Sequence, residues 1–274
     1  MKRINYREKA IILSFLICII FTIIYISGVF ISEEMILGSF LETKLPPGLK
    51  HFFGTDALGR DLFLRTLKGL SVSITIGLVA SVMSGLIAIL VGIAVATGSK
   101  RIDGIINWII DLFMGIPHTI LILLISFTLG RGMKGILVGI SLTHWCSLAR
   151  LIRGEVLQLQ TQPYVELSKK MGKTSGWIMV NHMLPHLRGQ FLAGLVLMFP
   201  HAILHEASIS FLGFGLSPEQ SAIGIILAES MRYLSTGMWW MAVCPGLMLV
   251  ILVLLIEKLG NLLRMILDPH SAQE

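Results

Sequence analysis

The chain has 274 residues, 54% of them hydrophobic and 14% charged, with a mean hydropathy of +0.81. That is too apolar and too charge-poor for a soluble domain to cover its own surface, so lipid has to be the main solvent. The formal charge of +6 comes from basic residues scattered at the ends of apolar blocks rather than from a stripe with aromatics, which argues against a nucleic-acid-binding surface.

Ala10 to Ile31 is a nearly unbroken apolar run, about 33 Å long as a helix and enough to cross a hydrocarbon core. Lys2, Arg3, Arg7 and Lys9 precede it as they would a signal peptide. The apolar core is too long for one, however, and no small-x-small cleavage pattern follows. Further spans are predicted over Val72 to Ala96, Ile105 to Thr128, Ile136 to Ala149, Phe191 to His205 and Trp239 to Ile256, making an all-α polytopic membrane protein with about six transmembrane helices. The fourth and fifth are short or interrupted by polar residues, which suits helices that line protein or water rather than lipid. Cys18, Cys146 and Cys244 show no metal-ligand or CxxC spacing and read as membrane packing residues.

With the N-terminus in the cytoplasm, fourteen Lys and Arg fall on that side (2, 3, 7, 9, 100, 101, 150, 153, 169, 170, 173, 188, 258 and 264) and eight on the other (44, 50, 60, 65, 68, 131, 134 and 232). Positive-inside bias therefore predicts both termini in the cytoplasm. The resulting division is an N-terminal helix with an extracytoplasmic loop over 1–70, a membrane domain over 71–269 with a cytoplasmic loop at 150–188, and a tail over 270–274. A second outward segment runs from Glu206 to Met238.

The cytoplasmic loop contains Tyr164-Val165-Glu166-Leu167-Ser168-Lys169-Lys170-Met171-Gly172, then Trp177-Ile178 and Met183-Leu184-Pro185. Good helix formers, a glycine for a sharp reversal and a proline to stop what precedes it predict a short surface helix, a turn and a second short helix. A solvated loop is the alternative on these features alone. The segment resembles the Glu-Ala-Ala, Gly, Leu-Pro signature of bacterial ABC-importer permeases. Glu166, Gly172, Leu184 and Pro185 match, and Leu167 and Ser168 replace the two alanines. In that family the short helix docks in a groove of the ATPase subunit and transmits its closure to the membrane. The resemblance thus implies coupling roles for Tyr164, Glu166, Leu167, Ser168 and Gly172. Gly172-Lys173-Thr174 looks like the tail of a phosphate-binding loop, but that motif needs glycine where Leu167 stands and a strand leading in. ATP hydrolysis is accordingly expected from separate subunits, with no cofactor bound by this chain and no enzymatic step.

The outward loop His51-Phe52-Phe53-Gly54-Thr55-Asp56-Ala57-Leu58-Gly59-Arg60-Asp61 resembles the FGTDxxGRD signature of the dipeptide, oligopeptide and nickel branch of these permeases. Ser210-Phe211-Leu212-Gly213-Phe214-Gly215 and Leu267-Asp268-Pro269 match that branch as well. Membership implies the type I ABC importer permease fold in a bacterial or archaeal cytoplasmic membrane. It also implies as partners a second homologous permease subunit, two ATP-binding subunits and an extracytoplasmic solute-binding protein. Thr55, Asp56, Arg60 and Asp61 are expected to fix the loop through hydrogen bonds and ion pairs rather than to touch substrate.

Cargo has to be read along the pathway. In Met198-Phe199-Pro200-His201-Ala202-Ile203-Leu204-His205-Glu206, His201 and His205 lie four apart on one helical face, with Met198 three before His201. Imidazole suits Ni(II), with thioether or carboxylate as a supplement. Helix-to-helix hydrogen bonding explains the pair equally well. The His pair, with His144-Trp145 in the fourth span, resembles the second permease subunit of nickel importers. Nickel or a nickel chelate is therefore the expected cargo, with His201 and His205 as transient metal ligands and Met198 and His144 along the path. Di- or oligopeptides are the alternative cargo, and an ion-coupled secondary transporter is the alternative machine. His118, His182, His186 and His270 read as packing or interfacial residues.

Overall fold

The computed structural model describes residues 6–217 and 219–267. Lys2, Arg3, Asp268, Pro269, His270 and the tail over 270–274 lie outside the described residues. The elements are α1 (Tyr6–Phe30), α2 (Glu33–Ile36), a 3-10 turn (Phe40–Glu42), α3 (Leu62–Thr97), α4 (Lys100–Gly115), α5 (His118–Thr128), α6 (Met133–Gln160), α7 (Pro163–Lys170), α8 (Ser175–Ile178), a π-helical turn (Met179–Met183), α9 (Leu184–Phe211), α10 (Ile223–Leu234) and α11 (Trp240–Leu267). The expected all-α class holds. Among the described residues the only β-type pairing is an isolated bridge between Thr55 and Asp61.

Five helices are long and apolar enough to cross a membrane, or six spans if α4 and α5 count as one. That pair meets at 93°, so the single span predicted over Ile105 to Thr128 is broken. Pro117 offers no amide hydrogen to the helix, and Ile116, restricted as every residue before a proline, is extended at φ −93° and ψ 135°. The fourth and fifth spans are longer than expected, because α6 and α9 each have 28 residues. Ser141, Thr143, His144, Glu206 and Ser210 lower the hydropathy of these helices and are all buried in the bundle. In the most apolar window of α6 67% of residues are buried, against 17% in α1, so α6 is the central helix and α1 a peripheral one.

Glycines on α3 let its neighbours approach closely. A methyl added at Gly92 would lie 2.4 Å from Ile152 Cγ2 of α6, and one at Gly77 would lie 2.7 Å from Ile203 Cγ1 of α9. In lipid, where apolar burial gives helices little reason to associate, such small-residue contacts supply the packing. Ile76, Ile122, Ile140 and Ala202 join α3, α5, α6 and α9 in one core, while Leu70, Ile203, Ile226 and Leu252 join α3, α9, α10 and α11 in another.

Helix α3 begins at Leu62, ten residues before the predicted Val72, so the boundary drawn at 70/71 falls inside it. Asp61 caps it, accepting from the amides of Phe63 and Leu64 at 2.9 and 3.0 Å. The preceding loop is held as the sequence analysis expected. Thr55 donates to the Glu42 carbonyl at 2.5 Å and accepts from the Leu45 amide at 2.8 Å. Gly59, at φ +75°, makes the turn that brings Arg60 Nε to Asp56 Oδ2 at 2.6 Å. The fully buried Arg65 guanidinium bonds Asp56 at 3.0 Å and Glu229 of α10 at 2.6 Å. The charge that delayed the predicted start of the span is therefore neutralised inside the protein, and it ties the two segments expected to face outward to each other.

On the opposite face, Arg7 of α1, Gln158 of α6, Pro185 of α9 and Arg264 of α11 line one cavity of about 870 Å³. The start of α1, the end of α6, the start of α9 and the end of α11 thus meet on one face. Removing one partner of a buried ion pair costs about 3–5 kcal/mol, so Arg65→Ala should lower the melting temperature of the purified protein more than Arg60→Ala, whose side chain is 21% exposed. Thermal unfolding in detergent, followed by circular dichroism, measures the difference.

Candidate functional site

Two features stand out, a projecting helical turn between α6 and α9 and a group of histidines within the bundle. After Gln160 the chain turns through Thr161 and Gln162 into α7, which opens with Pro163 at a position where a missing amide hydrogen costs nothing. Val165 is fully buried against Leu159, Ile178 and Met183. Tyr164, Leu167 and Met171 are exposed, as are Glu166 and Gly172. The helix therefore has an anchored face and an apolar free one.

Its end is fixed by geometry. Gly172 has φ +79°, Lys173 N donates to Ser168 O at 3.1 Å and Gly172 N to Lys169 O at 3.0 Å, the paired bonds of a left-handed helix stop. Ser168 Oγ also lies 3.0 Å from His182 Nε2, and the His182 ring packs between Tyr164 and Trp177 at 5.6 and 5.3 Å. His182 is a packing residue, as read from the sequence. The predicted stop at Pro185 does not occur, because Ser175–Phe211 is one 37-residue helical run. The π-helical turn widens the ladder so that Leu184 N bonds Met179 O, which accommodates a proline in the first turn of α9.

Within the bundle, His118 at the start of α5, His144 of α6 and His205 of α9 come together. Ring centroids are 4.5 Å apart for His118 and His144, 4.8 Å for His118 and His205, and 5.1 Å for His144 and His205. One donor atom from each lies within 4.8 Å of the others. His144 is buried and the other two are half-buried. The structure therefore groups His205 with His144 and His118; His201 is exposed and stands outside the group. Met198 is buried in the core that contains Trp145 and Leu148. Helical spacing pointed to His201 and missed His118, whose partners lie on other helices.

Glu206, next to His205, takes a different direction. It is fully buried and accepts from Ser73 of α3 at 2.5 Å and Ser210 at 2.8 Å. Ser210 begins the Ser-Phe-Leu-Gly-Phe-Gly motif, and Gly215 packs so closely on it that a methyl there would lie 2.3 Å from Ser210 Oγ. That motif folds the chain end of α9 onto a buried carboxyl group.

Residues 86–272 match the model of the binding-protein-dependent transport system inner membrane component family. The chain belongs to that family. Its dipeptide transport permease DppC relative from Bacillus subtilis (strain 168) is 30% identical over 268 residues, 98% of this chain and 84% of the relative. The oligopeptide permease OppC of the same organism is 30% identical over 269 residues, 98% and 88% of the two chains. A putative peptide transport permease of Brucella abortus biovar 1 is 36% identical over 229 residues, 84% and 77%. Among solved structures, the inward-facing MetNI methionine ABC transporter superposes with a TM-score of 0.63 at 20% identity, over 76% of this chain and 98% of that one, which gives the fold. The permease is thus a multi-pass inner-membrane subunit of an ABC importer with the type I fold, and a transport component rather than an enzyme.

Around Gly172 an added methyl meets nothing within 4 Å, so a substitution there acts through the backbone. The left-handed conformation costs a non-glycine residue about 1–2 kcal/mol, with asparagine the exception. Gly172→Val should therefore shift the α7 turn by about 5- to 30-fold in population and cut uptake with it, and Gly172→Asn should keep most of the uptake. Transport assays at matched membrane abundance compare the two.

Proposed function

We propose that the chain is one permease half of an ATP-driven importer of small peptides, working by alternating access. The observation that carries the cargo is the similarity, over nearly the full chain, to proteins named as dipeptide and oligopeptide permeases. The geometry of α7 supports the mechanism. Its anchored face and free apolar stripe suit a lever seated in the groove of an ATP-binding subunit, with Tyr164, Glu166 and Leu167 in the contact, Ser168 bracing the helix and Gly172 ending it. Closure of two such subunits, using ATP, would push α7 and swing α6 and α9, between which it is strung. The remaining partners are a second, homologous permease chain and an extracytoplasmic binding protein that delivers the cargo. In this reading α7 and both termini are cytoplasmic, and the Asp56, Arg65 and Glu229 network is extracytoplasmic.

Nickel, the cargo first expected from the sequence, is the second reading, and one observation favours it: three imidazoles gathered inside the bundle. Expression with the partner subunits in cells lacking their own uptake systems separates the two. Labelled dipeptide should accumulate and stop accumulating on ATP depletion. Nickel accumulation without dipeptide uptake would reverse the order of the readings. For the lever, Leu167→Asp should reduce recovery of the ATP-binding subunits with the permease by more than about fivefold, as loss of an apolar interface anchor does, at unchanged membrane insertion. Co-purification measures it.

A further inference from the structure

We propose that His118, His144 and His205 form a three-imidazole site for a divalent transition-metal ion, with at least one coordination position left open. The three rings come from three helices, α5, α6 and α9, so no single turn of helix accounts for their meeting. Polar side chains within a membrane bundle need partners, and His118 Nε2 lies 3.0 Å from His144 Nδ1 and 3.3 Å from Thr143 Oγ1, with the His205 ring packed against both imidazoles.

Nδ1 of His144 also lies 3.1 Å from the Ile140 carbonyl, which can only accept; with the hydrogen on Nδ1 that contact is a hydrogen bond and Nε2 keeps its lone pair for a metal. A ring nitrogen donating to a backbone carbonyl is the outer support that metal-bound histidines commonly have. Imidazoles without carboxylates suit nickel, zinc, copper or cobalt and disfavour magnesium and calcium. The nearest carboxyl in sequence, Glu206, is held by Ser73 and Ser210 instead.

Metal–imidazole bonds of about 2.1 Å put tetrahedral donors roughly 3.4 Å apart. The present atoms, within 4.8 Å of one another, would have to draw in by up to about 1.4 Å, a side-chain rotation or a small helix shift. A site that closes only partly holds its ion loosely, as a transport path requires. Three protein ligands leave a fourth position for a donor atom of the transported molecule, such as an amine or carboxylate. The site rests on the importer reading for this open position but not for metal binding itself.

The test uses the importer purified with its partner subunits through a histidine-free tag, in lipid nanodiscs, titrated with Co(II) as the probe. One cobalt per copy of this chain should bind, with visible ligand-field bands. His118→Asn, His144→Asn and His205→Asn should each weaken binding by more than about tenfold, and His186→Asn should leave it unchanged. His118→Cys, which retains a donor, should keep the metal and add a thiolate charge-transfer band in the near ultraviolet. Absence of saturable cobalt binding, or binding that survives the triple His118/His144/His205→Asn change, would overturn the site. Dipeptide uptake without cobalt binding rejects the site and leaves the importer intact. Cobalt binding by a chain that never assembles with ATP-binding subunits supports the site and rejects the importer reading.

Discussion

The close approach of α3 to both α6 and α9 governs the rest of the molecule. Gly92 faces Ile152 on one side and Gly77 faces Ile203 on the other, so two helices lie against one shared support. Any side chain at either glycine would push a neighbour away, because the contacts are already shorter than a methyl allows. Since α6 and α9 are both held to α3, the connection between them has to be a short excursion at one end. That excursion is α7. The same convergence brings His144 and His205 to a ring separation of 5.1 Å well inside the bundle.

Close packing also explains which polar groups the interior accepts. Ser84 donates to the Ser141 carbonyl across α3 and α6 at 3.0 Å, and Ser73 to Glu206 across α3 and α9 at 2.5 Å. Hydroxyls this short reach a partner only when backbones are near. On the peripheral α1, Thr22 and Ser27 bond their own helix, to the Cys18 and Ile23 carbonyls at 2.7 Å each. The imidazoles differ from both groups. His118 and His144 bond to each other, to Thr143 and to one carbonyl, His205 packs its ring against both, and two of the three remain half-buried.

Much of this was legible in the sequence because it is local. Apolar runs fix the spans, Asp56, Arg60 and Asp61 sit within a few residues of the groups they bond, and Gly172 marks a turn that only its own backbone defines. What was hidden depends on distant partners. Arg65 looks like a charge that should delay a span, until Asp56 and Glu229 are found beside it. Ser141, His144 and Glu206 look like interruptions of α6 and α9, until the bundle buries them. Pro117 announces a break but not a 93° one, and Pro185 announces a stop that a π-helical turn removes. His118 could not be matched with His144 and His205, since helical periodicity pairs residues on one helix and the group draws on three.

In the proposed importer, the α7 lever and the histidines would be mechanically related. A projecting helix transmits force only if its root is stiff, and the root of α7 is stiff: Val165 is fully buried, Ser168 meets His182, and the His182 ring is held by Tyr164 and Trp177. Displacing α7 therefore has to displace the two helices joined to it rather than bend a loop. His144 rides on α6 and His205 on α9, whereas His118 belongs to α5, beyond the break at Pro117 and not joined to the lever. Because α5 packs on α6, with Ile122 and Ile140 in one core, a movement of α9 against that pair would change the distances from His205 to the other two rings before it changed the bonds within any helix. Displacements of up to about 1.4 Å, the difference between open and metal-bound donor spacings, are of the size of helix shifts in conformational transitions. The importer reading thus makes the spacing of the three imidazoles a consequence of where the lever stands, so that affinity for whatever they hold follows the state of the ATP-binding subunits.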